Sequence, residues 1–163
     1  METASKRTLF DVTIWTASLF MALVWVTHEA IAGSSTFTAT NAKWNAECGT
    51  CHVAYPPQLL PAPTWRRVMS GLDKHFGTDA SLDPQSFAEI GAFLEQNAAS
   101  GKRARAGGDT LRITESAWFR REHDEVPAAT WKNPAVKTPA NCAACHTAAE
   151  QGDYRERNIR MPR

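Results

Sequence analysis

The chain has 163 residues, enough for one domain or two small ones, and its 18 basic and 17 acidic side chains leave a net charge of +1. That balance gives no electrostatic footprint for nucleic acid. All four cysteines fall in two copies of C-x-x-C-H, which argues against a general disulfide framework, because such a framework has no use for the repeated histidine.

Lys6 and Arg7 precede an uncharged apolar run from Val12 to Thr27, bounded by Asp11 and His28. The run is slightly short for a membrane span, which needs about 17–25 residues. Ala30-Ile31-Ala32 supplies a small-x-small cleavage site. Together these are the parts of an export signal over residues 1–32, cleaved after Ala32, with an uncleaved N-terminal anchor as the alternative. Residues 33–42, rich in Ser, Thr and Ala, read as a solvated lead-in.

Residues 43–100 form the first of two expected units. Asn41 is placed to cap a helix carrying Trp44 and the first motif, Cys48-Gly49-Thr50-Cys51-His52. On one helical turn, positions i, i+3 and i+4 share a face. Cys48 and Cys51 can then bond to the edge of a c-type haem while His52 reaches the iron. Tyr55-Pro56-Pro57 ends this helix. Thr64 is expected to cap a second helix with Trp65, Val68, Met69, Leu72 and Phe76 at helical spacing, His75 on the same face and Gly77 as its stop. A histidine on an apolar face is usually a packed core residue. Beside an iron with an open position it becomes the candidate second axial ligand, with Met69 as the competitor. Asp83 and Pro84 open a third helix with a buried stripe of Phe87, Ile90, Phe93 and Leu94.

Residues 101–108, Gly-Lys-Arg-Ala-Arg-Ala-Gly-Gly, read as a basic linker. The second unit, residues 109–163, is expected to be irregular and helix-poor. Leu111 and Ile113 form a short apolar pair, and Thr114 is expected to cap a helix carrying Trp118, Phe119 and His123. His123 shares a face with Phe119 and is the candidate second ligand for the second iron, with Met161 a remote alternative. Pro127, Pro134 and Pro139 mark an irregular connection in which Trp131 is available to pack on a haem face. Asn141 then caps the second motif, Cys142-Ala143-Ala144-Cys145-His146, whose helix ends at Gly152. The basic tail from Tyr154 is expected to be loosely held.

Other readings of the motif pair are weaker. A zinc ribbon separates its C-x-x-C knuckles by about 15–20 residues, whereas nearly the whole chain lies between these two. A thioredoxin motif needs a βαβ context. The chain has five histidines; with His28 in the export signal, the remainder matches the axial demand of two bis-His haems. The chemistry expected is outer-sphere electron transfer, outside the cytoplasmic membrane and most naturally in the periplasm. The alternative is a small peroxidase or reductase with one open or labile haem site.

The run Cys48–His52, Tyr55-Pro56-Pro57-Gln58-Leu59-Leu60-Pro61, Trp65, Met69 and His75-Phe76-Gly77 with Ala80, Leu82 and Asp83 resembles the small exported dihaem cytochromes c of photosynthetic and related bacteria. So does Trp118-Phe119-Arg120-Arg121-Glu122-His123 followed by Asn141–His146 and Gly152-Asp153-Tyr154. The resemblance implies an all-α protein with two covalent haem c groups, its first half resembling a class I cytochrome c fold. It implies low-spin, low-potential haems, with His52 paired with His75 and His146 with His123. It also implies two kinds of redox partner: a small high-spin, oxygen-binding cytochrome c and a membrane b-type cytochrome.

Overall fold

The first helix begins where a side chain can satisfy its free amides. In the computed structural model, which describes residues 36–162, helix α1 spans Ala42–Cys48 and Asn41 Oδ1 accepts from Trp44 N at 2.8 Å. The Asn41 amide also donates to Glu89 Oε1 at 3.0 Å, joining this cap to the third helix. The export signal and its cleavage site lie outside the described residues, and among those residues no helix is long and apolar enough to cross a membrane.

Helix α1 stops at the first cysteine. Gly49 N closes the last turn on Asn45 O at 3.0 Å, and a Cβ at Gly49 would lie 2.3 Å from that same oxygen. The first motif is therefore a turn leaving a helix, not a helical turn throughout. The Pro-rich stretch that follows contains a 3-10 segment, Pro57–Leu59, whose Pro57 carbonyl accepts from the buried Trp65 Nε1 at 2.7 Å.

Helix α2 spans Ala62–Ser70. Its capping residue is Pro61, whose carbonyl accepts from Thr64 N and Trp65 N. Thr64 is instead buried in the first turn. The helix ends at Gly71 and does not carry His75. A 3-10 segment, Leu72–Lys74, intervenes, and the backbone turns over at Phe76 and Gly77 with φ of 49° and 101°. Two successive positive φ values break the helical path, so His75 is placed by a turn rather than by helical phase.

Helix α3, Pro84–Gln96, starts as expected, with Asp83 Oδ1 accepting from Gln85 N and Ser86 N and Pro84 in the first turn. Ile90 and Leu94 are fully buried, but Phe87 is 41% exposed and does not join the stripe. The core gathers Trp44, Leu60, Trp65, Met69, Ile90 and Leu94, with Phe93 against Trp44 at 5.2 Å.

Residues 101–107 form helix α4, Gly101–Gly107, where the sequence suggested a linker. Its buried end, Gly107, lies so close to Pro61 that a Cβ would sit 3.0 Å from the proline ring. Arg103 of this helix lies over the rings of Phe37 and Trp118, at 5.3 and 5.1 Å. A solvated linker would lack both contacts.

Beyond α4 the structure is short and turn-rich, as expected of a helix-poor second half. A 3-10 segment, Ile113–Glu115, leads into helix α5, Ala117–Glu122. Ser116 rather than Thr114 is its cap, its hydroxyl accepting from Phe119 N at 3.0 Å. Helix α6, Ala128–Trp131, is a single turn within the Pro-rich connection. The second motif contains a 3-10 segment, Cys142–Ala144, and Asn141 offers it no side-chain cap; the Asn141 amide donates to Val136 O instead. Further 3-10 segments follow at Ala149–Gln151 and Glu156–Asn158.

The basic tail is held more firmly than expected. Thr147 N donates to Asn158 O at 3.0 Å and Arg160 N to Cys145 O at 2.8 Å. An irregular attachment loop leaves backbone groups unpaired, and the returning tail satisfies them. Contacts gather the described residues into one compact unit. Ile113 from the second half packs against the first half's core, and Phe37 N donates to Gly152 O at 2.8 Å. Among the described residues there are isolated β-bridges and no strands, so the fold is all-α.

Candidate haem sites

The structure brings together His52 with His75 and His123 with His146. The first pair has ring centroids 6.3 Å apart and an interplanar angle of 27°. The second is 6.1 Å apart at 76°. Two metal–imidazole bonds of about 2 Å, with two ring radii of about 1.1 Å, span roughly 6 Å. Each pair therefore fits a single metal ion held between its rings, and one member of each pair belongs to a C-x-x-C-H motif.

Hydrogen bonds set the tautomers of two of these rings. His52 Nδ1 lies 2.7 Å from Val53 O and His123 Nδ1 2.9 Å from Phe119 O. A carbonyl only accepts, so Nδ1 carries the proton in both and Nε2 keeps its lone pair for a metal. His146 Nδ1 is buried without a partner. Burial lowers the His75 pKa, with His52 and then Arg112 adding to the effect. Burial also lowers that of His146, followed by the influence of His123. Both shifts favour the neutral ring that can ligate.

Aromatic side chains flank every ligating candidate. Tyr55 stacks on His52 at 4.4 Å and 13°. Phe76 meets His75 edge-on at 4.8 Å, its outer face covered by Arg112 at 4.2 Å. Phe119 stacks on His123 at 4.0 Å, with Trp131 5.9 Å away. Tyr154 lies 5.1 Å from His146. The supporting roles of Tyr55 and Tyr154 are not apparent from helical patterning, because both lie in irregular segments; their spacing of three and eight residues after a motif histidine is the only local signal.

The four cysteines are unpaired. Burial, helped by Glu47, pushes the Cys48 thiol up to about 11. Burial likewise raises Cys142 to about 11 and raises Cys145. Burial thus favours the protonated form of these three thiols in the free chain. Among the described residues no group of three or more His, Cys, Asp or Glu converges to hold a metal ion. Of the sulfur alternatives, Met69 is buried in the core and Met161 is 47% exposed.

Comparison with known proteins finds similarity to dihaem cytochromes. Residues 44–154 match the family described as "Dihaem cytochrome c". A diheme cytochrome c from Rhodobacter sphaeroides is 42% identical, with a TM-score of 0.66 over 72% of this chain and 99% of that one. A diheme cytochrome type c from Shewanella baltica OS155 is 44% identical, with a TM-score of 0.66 over 75% of this chain and 93% of its own. No curated protein matches the sequence. The chain belongs to the dihaem cytochrome c family, a class of electron-transfer cytochromes carrying two covalently bound haem c groups.

Proposed function

We propose that this chain is a low-potential electron carrier of the periplasm whose two haems are each held between two imidazoles. His52 and His75 serve the first haem, bonded through Cys48 and Cys51. His123 and His146 serve the second, bonded through Cys142 and Cys145. The observation that carries this reading is the presence of two imidazole pairs at 6.3 and 6.1 Å, one ring of each pair belonging to an attachment motif.

Each haem supplies reversible one-electron iron chemistry when bound. The chain's own residues determine what that chemistry is used for. Imidazoles on both faces leave no axial position for a small ligand, which favours electron transfer over peroxidase or reductase chemistry. Nitrogen ligation on both sides also favours ferric iron relative to His/Met ligation and so lowers the potential. The Val53 and Phe119 carbonyls accept the Nδ1 protons of His52 and His123 and so fix the tautomer and orientation that leave each Nε2 lone pair free for iron. Phe119, buried and stacked on His123, contributes a dry wall to the second site.

Export places the protein outside the cytoplasmic membrane, residues 1–32 acting as a cleaved signal or a retained anchor. The partners proposed are a small high-spin, oxygen-binding cytochrome c and a membrane b-type cytochrome. With charge nearly balanced overall, docking relies on local patches rather than long-range steering, and partner reduction should depend only modestly on salt.

Optical spectra of the holoprotein test the assignment. The ferric form is expected to be fully low-spin and unchanged by cyanide, and the ferrous form unchanged by carbon monoxide. A high-spin fraction amounting to one haem, or stoichiometric ligand binding, overturns it.

A further inference from the structure

Tyr55 touches both haem sites. Its ring lies face to face with the His52 ring, 4.4 Å away and inclined by 13°. Its hydroxyl donates across 85 positions of sequence to Ala140 O at 2.6 Å. That carbonyl also accepts from Cys142 N at 3.0 Å, so one oxygen receives both Tyr55 and the first residue of the second attachment motif. A continuous set of contacts thus runs from His52 through Tyr55 and Ala140 to Cys142.

We propose that Tyr55 is a positioning residue shared by the two haem sites: its face sets the ring plane of His52, and its hydroxyl holds the second attachment loop. The inference rests on the assignment of His52 and Cys142 to haems and extends it. An axial imidazole can rotate about its metal bond, so its plane is set by what its edge and faces meet. For His52 these are the Val53 carbonyl and the Tyr55 ring. The second attachment loop is held by a 3-10 turn, the returning tail and short-range bonds such as that from the Asn141 side chain to Val136 O, with no long helix. There a side-chain hydrogen bond from a better-packed half has more influence than it would on a long helix. One side chain therefore performs two separable tasks, one with its ring and one with its oxygen.

The two tasks separate by substitution. Tyr55→Phe keeps the ring and removes the hydroxyl; Tyr55→Leu removes both. In reduced, diamagnetic holoprotein, Tyr55→Phe should speed amide exchange at Cys142 by roughly tenfold, the size expected for one net hydrogen bond. The same variant should leave the ferric electron paramagnetic resonance signal of the first haem as in the parent. Tyr55→Leu should in addition shift and broaden that signal as the His52 plane is released. An unchanged first-haem signal in Tyr55→Leu, or unchanged Cys142 exchange in Tyr55→Phe, overturns the proposal. If Tyr55→Leu does not accumulate as holoprotein, the near-isosteric Phe variant still decides the hydroxyl's task. In the parent protein, a slowly exchanging Tyr55 hydroxyl proton near Ala140 is required, and its absence is equally decisive. A parent protein with a high-spin haem would instead sink the bis-His assignment itself, whatever the variants do.

Discussion

The ring of His146 stands at 76° to that of His123, whereas the ring of His75 lies only 27° from that of His52. Parallel imidazoles donate into the same iron dπ orbital and split the dπ pair. Perpendicular imidazoles donate into different orbitals and leave that pair nearly degenerate. Under the proposed ligation the two haems are therefore expected to differ electronically despite having the same ligand types.

Frozen-solution electron paramagnetic resonance of the oxidised protein should show two low-spin signals of equal intensity. One should be rhombic with well-resolved features, from the His52/His75 site. The other should be a strongly anisotropic low-field signal, from the His123/His146 site. Two identical rhombic signals would mean that the second pair does not keep its crossed planes around iron.

Replacing one axial nitrogen by sulfur offers an assignment of potentials. His75→Met should raise the potential of the first haem, because a thioether stabilises ferrous iron better than a second imidazole does. The second haem should be largely spared, since its ligands come from other elements. Spectroelectrochemical titration reads both values, and no shift at either haem would remove His75 as a ligand.

Haem is expected to be part of the folding energy. The apolar core centres on six large side chains of the first half, and among the described residues of the second half the buried apolar side chains are Phe119, Val136 and Ala149, a small set against the entropy of ordering that half. Protein produced without haem attachment should lack a cooperative thermal transition and tertiary circular dichroism. A sharp native-like transition in the haem-free chain would contradict this.

Gly152 is a sensitive point between the two ends of the described chain. Its φ is 69°, and a Cβ there would lie 2.2 Å from Phe37 O, the carbonyl of the residue whose amide donates to Gly152 O. Gly152→Ala should therefore lower holoprotein stability by about 1–3 kcal/mol, the usual cost of forcing atoms into filled space. A denaturation midpoint equal to the parent's would show that the close approach of Phe37 O to Gly152 does not constrain the side chain there.

Acid should weaken the start of helix α3. The Ser86 hydroxyl and amide hold the Asp83 carboxyl below its usual 3.8. A carboxylate depressed on folding contributes stability that is present above the unfolded value and is lost as pH falls through the folded one. Asp83→Asn keeps an oxygen for the capping amides but has no such titration. The variant should thus match the parent more closely near pH 3 than near pH 7, as read by thermal midpoints at both. A gap that widens on acidification would reverse the sign and exclude Asp83 as its source.

What could be read directly from the chain was local chemistry. Cys48–His52 and Cys142–His146 specify two attachment points because their spacing is a covalent requirement, independent of how the backbone between them folds. Asn41 and Asp83 announce helix starts because a cap satisfies amides within three residues of itself. His75 and His123 were recognisable as candidates because so few other imidazoles were available. Tertiary structure decided how those groups meet. Helical phase did not place His75; Gly71 ended α2, and positive φ at Phe76 and Gly77 turned the chain back. The helix in place of a linker at residues 101–107, the docked tail and the Tyr55–Ala140 hydrogen bond all depend on partners tens of residues away. So do the two angles between imidazole planes, because a ring's rotation is settled by the surfaces packed against it and leaves no periodic trace in the order of the amino acids.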